Sequence, residues 1–65
     1  MPIVIIHTWA GKTVEQKRKL SEAITNALVE IAGVSREAIE IIFNDVPKTN
    51  WAKGGVLAID LIERK

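Results

Sequence analysis

The sequence predicts a small α/β (α+β) protein: a β-α-β unit with parallel strands plus a short C-terminal hairpin, assembling with copies of itself. Three observations carry that expectation. Two β-branched runs, Ile3–Trp9 and residues 39–44, flank one stretch of helical periodicity. A proline and a glycine pair punctuate the residues after the second run. The chain has 65 residues, 48% of them hydrophobic, and no cysteine. A chain this size folds to about 4,100 Å² from about 10,400 Å² unfolded, burying only about 60% of its surface. Disulfides and thiolate metal sites are excluded, and one histidine cannot build a zinc site. Partner chains remain as the support that so small a core needs.

The first run, Ile3-Val4-Ile5-Ile6-His7-Thr8-Trp9, is apolar on both faces. Ile3, Ile5 and Trp9 alternate with Val4 and Ile6, which suits a strand covered on both sides. Thr13-Val14-Glu15-Gln16 fits a capping box, with Thr13 as N-cap and Gln16 reaching back. Leu20, Ala23, Ile24, Ala27, Leu28 and Ile31 then recur at three- and four-residue intervals, predicting an amphipathic helix of about five turns. Gly33 stands where a C-cap glycine belongs. Ser35 is expected to cap a single turn through Arg36 and Glu37. The second strand runs to a stop at Pro47, which has no N–H for a ladder. Residues 48–55 read as a loop ending in Gly54-Gly55, residues 56–59 as a short third strand or hairpin arm, and residues 61–65 as a tail. The whole is one domain, residues 1–65. Its two strands leave edges and one sheet face uncovered, so pairing with further copies is expected.

Composition narrows the function. Ten Ile, six Val and four Leu exclude disorder. A net charge of +1 gives no basic excess, so no nucleic-acid partner is expected. The longest apolar run near the N-terminus is far too short for a membrane span or a signal-peptide core, so no membrane partner and a cytoplasmic location are expected.

The residue with the most chemistry is Pro2. Aminopeptidases remove an initiator methionine that precedes a small residue, proline included. Pro2 would then begin the chain as a free secondary amine at the head of a buried strand. A free α-amino group titrates near 7.7–8.0, and burial or nearby cations lower that value. A base tuned towards neutrality is what proton abstraction beside a carbonyl requires. With Met1 attached, the same nitrogen is an amide and no base.

Pro2-Ile3-Val4, then Gly11-Lys12-Thr13, then Glu15-Gln16-Lys17, then a loop with Trp51 ending in Gly54-Gly55, resembles the 4-oxalocrotonate tautomerase family along nearly all of the chain. The resemblance implies a β-α-β subunit with a short hairpin, six of which form a trimer of dimers. It implies no cofactor, and a small enol or keto acid as substrate. It makes Pro2 the catalytic base, moving a proton between carbons of an enol or dienol acid. Trp51 matches the aromatic position that packs over the base. Lys12 lies where the family often carries an arginine gripping a substrate carboxylate; lysine keeps the charge but loses the bidentate fork.

Glu40 departs from the pattern. The resemblance puts an arginine there, reaching a neighbouring subunit's pocket, and glutamate reverses its sign. One charge pair at roughly 5 Å and an effective dielectric near 20 is worth about 3 kcal/mol, so the reversal disfavours diacids such as 2-hydroxymuconate. Monoacid enols of the arylpyruvate type suit it better. Arg36, four residues earlier, is the first candidate to restore the cation, with Lys48 and Lys53 behind it. His7 falls on the Ile3–Ile5 side of the strand, away from Pro2, and reads as structural or interfacial. Asn44 and Asn50 are candidate hydrogen-bond donors; Glu15 and Asp60 are expected to face solvent.

The sequence supports three readings. The first is an amino-terminal-proline tautomerase acting on 2-hydroxymuconate-type or arylpyruvate-enol acids. The second keeps the pocket but adds water, as in hydratases and dehalogenases, with Glu40 activating it. The third is a non-catalytic subunit of a hetero-hexamer, which Glu40 would mark.

Overall fold

The computed structural model describes residues 2–63. Strand β1 spans Ile3–Trp9, helix α1 Val14–Ala27 and strand β2 Glu40–Val46. A two-residue hairpin, β3 (Ala52–Lys53) and β4 (Val56–Leu57), leads into α2 (Ala58–Glu63). β1 and β2 pair in parallel, from Ile3↔Glu40 through Ile5↔Ile42 and His7↔Asn44 to Trp9↔Val46. The β-α-β unit with its short hairpin is therefore present.

Helix α1 starts on the expected capping box. The Thr13 hydroxyl accepts from the Gln16 N–H at 3.1 Å, and the Gln16 side chain accepts from the Thr13 N–H at 2.9 Å. It does not stay an α-helix to its end. Residues Leu28–Ala32 widen into a π-turn, closed by Gly33 at φ 69°. That left-handed φ is open to glycine without a Cβ penalty. A π-turn takes more residues per turn than an α-turn, which shifts the phase of the residues in and after it. Ile31, expected on the buried stripe, ends 86% exposed. Leu20, Ala23 and Ala27 are exposed too, while Ile24 and Leu28 are half-buried. The helix thus spends only part of its apolar face on its own sheet.

Three further expectations change. Ser35 makes no side-chain cap; the short 3₁₀ turn Arg36–Ala38 is held by the main chain, the Ala38 N–H donating to the Ser35 carbonyl at 3.0 Å. The segment read as a plain loop holds a 3₁₀ turn, Lys48–Asn50, and the first arm of the hairpin. Gly54 and Gly55, at φ 60° and 82°, form its two-residue turn, a geometry that needs positive φ at both positions. Val56–Leu57 forms the expected arm, but the chain after it, expected to continue the arm and then run as a tail, is helical from Ala58 through Glu63, and residues 64–65 of that tail lie outside the described residues. An isolated helix of six residues is unstable in water. Tertiary packing decides this one: Ala58 is fully buried, and its N–H donates to the Trp51 carbonyl at 2.6 Å.

The two sheet faces differ. Val4, Ile6 and Thr8 with Ile41 and Phe43 are half-buried under α1, and Lys17 of α1 pairs with Asp45 on the same side. The other face is bare. Ile3 and Ile5 are each 55% exposed and Ile42 50%. The expected cover on both sides of β1 is therefore not supplied within one chain. Its surface is 5003 Å², against about 4,100 Å² for a compact monomer of this mass. Its radius of gyration is 15.3 Å, where a compact chain of this length has about 11 Å. No helix among the described residues is long and apolar enough to cross a membrane.

Candidate active site

Pro2 heads β1 and is half-buried. Its carbonyl accepts the Glu40 N–H at 3.0 Å, which ties the start of the chain to the start of β2. Glu40 is exposed and pairs with Ile3, so alternation stands its side chain on the bare face beside Ile3. Arg36 belongs to this end as well, in the turn that feeds β2, and its guanidinium donates to the Asn26 side-chain oxygen. The first candidate to replace the missing arginine is thus already engaged by the helix of its own chain.

The other predicted residues sit at the opposite end of the sheet. Lys12 donates from Nζ to Thr8 Oγ1 at 3.1 Å. Thr8 is six residues beyond Pro2 along an extended strand, a separation of about 20 Å. Trp51 leaves the Lys48–Asn50 turn and meets Trp9 edge to face, ring centroids 6.2 Å apart and planes at 80°. Lys48 Nζ sits 5.4 Å from the centre of the Trp9 ring. Asn50 is exposed in the same turn, its N–H donating to the Pro47 carbonyl at 2.8 Å. Lys53 is exposed on the hairpin.

One chain therefore brings Pro2, Glu40 and Arg36 to one end, and Lys12 and Trp51 to the other. It does not bring the two sets together. His7 lies on the bare face, as alternation requires, with its Nδ1 2.9 Å from the Asn44 side-chain nitrogen. Asn44 is thereby a partner of His7. Glu15 pairs with Arg18 at 3.3 Å on the outside of α1, and Asp60 is exposed. Sequence reasoning missed Trp9 as part of an aromatic pair with Trp51. The signal was available only as two indoles, each at the end of an element that the fold brings to one place.

Comparisons with known proteins agree with this architecture. The family model described as Tautomerase enzyme matches residues 2–61. A 2-hydroxymuconate tautomerase of Comamonas testosteroni is 39% identical over 61 residues, covering 94% of this chain and 97% of that one. A structure from work on the 4-oxalocrotonate tautomerase isozymes of Methylibium petroleiphilum superposes with a TM-score of 0.85 at 42% identity, over 92% of this chain and 97% of the other. A heterohexamer 4-oxalocrotonate tautomerase from Chloroflexus aurantiacus gives 0.85 at 30% identity, over 94% and 98%. Such identity along nearly the whole of each chain, on the same β-α-β frame, makes this chain a member of the 4-oxalocrotonate tautomerase family, an isomerase by class.

Proposed function

We propose that the chain, once Met1 is removed, is a keto–enol tautomerase whose base is the secondary amine of Pro2. Its substrates are enol or dienol carboxylic acids of the 2-hydroxymuconate or arylpyruvate-enol type. The amine takes the proton of the enol hydroxyl. The O–H electrons form the carbonyl, the C=C electrons take a proton from the prolinium, and the amine is free again.

The observation that carries this reading is the position of Pro2. It stands at the head of β1, fixed by the Glu40 N–H on its carbonyl, and the family match begins at this residue. Pinning the main chain there orients the amine without occupying it. Lys12 and Trp51 complete the pocket from a second protomer whose sheet runs the opposite way. The separation of about 20 Å between Pro2 and Thr8 along one strand supports that arrangement. An isologous pair brings each Pro2 end to the other's Trp51 end, giving two sites per dimer. The bare Ile3–Ile5–Ile42 face and the open stripe of α1 bring dimers together, and we propose six identical chains.

Glu40 favours monoacids over diacids in such a site, since its carboxylate stands on the face that a neighbour covers. It also favours the third reading, a non-catalytic subunit of a hetero-hexamer, an assembly type that a relative from Chloroflexus aurantiacus has. The hydratase-like use of Glu40 in the same pocket has no further support from the geometry.

The intact mass of the purified protein tests the first condition: a chain starting at Pro2 is expected. Ketonisation of phenylpyruvate enol by this homogeneous protein should then vanish when the Pro2 nitrogen is blocked chemically. Undiminished turnover after complete blocking ends the proposal. Activity that appears only after mixing with a second short chain supports the hetero-oligomer.

A further inference from the structure

Resting on the tautomerase reading, the geometry points to Lys48 as the cation that anchors the substrate carboxylate, with Trp9 positioning it and the Trp9–Trp51 pair receiving the substrate's planar conjugated body. The substrate class is then a flat monocarboxylate.

Lys48 is a half-buried lysine in the turn that delivers Trp51, the residue expected over the base. Its ammonium lies over the Trp9 ring, and that ring meets Trp51. The contact holds the side chain in one place and strips part of its water, so its charge acts more strongly than a solvated lysine's. The competing cations are less suited. Lys17 is neutralised by Asp45, and Arg36 is bound to Asn26 at the other end of its own sheet. Lys12 is exposed and donates to Thr8. Among the described residues, no carboxylate pairs with Lys48. An ammonium keeps donors free while one side rests on a ring.

The same arrangement explains how a site with glutamate at position 40 still holds an acid. The anchor is supplied from the aromatic end instead of from the start of β2. Glu40 then rejects a second carboxylate at the far end of the ligand.

Equilibrium binding of cinnamate, a stable planar monocarboxylate, tests this by titration calorimetry on the assembled protein, with neutral cinnamamide as the uncharged twin. Wild type should prefer cinnamate, and Lys48→Met should weaken cinnamate by about tenfold or more while leaving cinnamamide unchanged. Lys48→Arg should restore most of the preference. Trp9→Leu should shrink it although Lys48 remains, the signature of a positioning residue. Wild type that does not bind cinnamate, or a Lys48→Met protein that loses both ligands equally or neither, overturns the assignment. Turnover is not needed for this readout. A Pro2 block without effect therefore defeats the proton-transfer reading alone, and an unchanged cinnamate preference in Lys48→Met defeats Lys48 alone.

Discussion

The two ends of the β1–β2 ribbon carry opposite chemistry. One end presents Pro2, tied through its carbonyl to a strand that begins with an acidic residue. The other presents two indoles, one lysine over a ring and another on Thr8. In the proposed function Pro2 supplies the base half of a proton-transfer site. An apolar, cationic corner is the other half. Because parallel strands keep the halves apart in one chain, a two-fold partner is the simplest way to join them. The contrast teaches that, on the proposed reading, a protomer that leaves an apolar face bare also leaves its site to be completed by a copy.

Removing the base is the hardest blow to this picture. Pro2→Ala should lower enol ketonisation by about two orders of magnitude or more, the scale of general base catalysis, with the oligomer intact by sedimentation. Wild-type turnover in that variant would take the base away from this end altogether.

Mixing is the next test. Pro2→Ala and Trp51→Ala chains, each impaired alone, should regain about a quarter of wild-type activity when unfolded and reassembled together. Half of the random pairs are mixed, and each mixed pair has one intact site. No recovery would mean that both ends act within one chain.

Glu40→Arg sharpens the comparison by changing the sign at the Pro2 end. The ratio of kcat/KM for a dicarboxylate enol over a monocarboxylate enol should rise by about tenfold or more, since one reversed charge pair is worth about 3 kcal/mol before screening. A constant ratio would place the Glu40 carboxylate outside the pocket.

The smallest effect belongs to a residue of neither half. Thr13→Ala removes the cap of α1 and should cost about 1 kcal/mol of stability in thermal unfolding, with the mono- to dicarboxylate ratio unchanged. A shifted ratio would show that the helix start takes part in substrate choice.

Much of the frame was legible from residue order. Thr13 and Gln16 announced the helix start and Gly33 its end, because each is local geometry that a few side chains impose. Alternation placed His7 on the Ile3–Ile5 face, as the structure has it. The expectations that failed needed neighbours distant in sequence. The helical turn at α2 depends on burying Ala58, and Ile31 left its stripe when the last turn of α1 widened. The family likeness supplied Pro2, Lys12, Arg36, Glu40 and Trp51 as a set, and nothing in their order shows that they fall into two groups at opposite ends.

Sequence alone determined the strand alternation, the capping box of α1, its closing glycine and the proline at the second position, since these act over a few bonds or one helical turn. Tertiary structure decided which apolar faces stay bare, that the two tryptophans meet, and how far Pro2 stands from the aromatic corner. Parallel pairing fixes those last relations, because it aligns the two strand starts at one end and leaves both strand ends, with the turns that leave them, at the other.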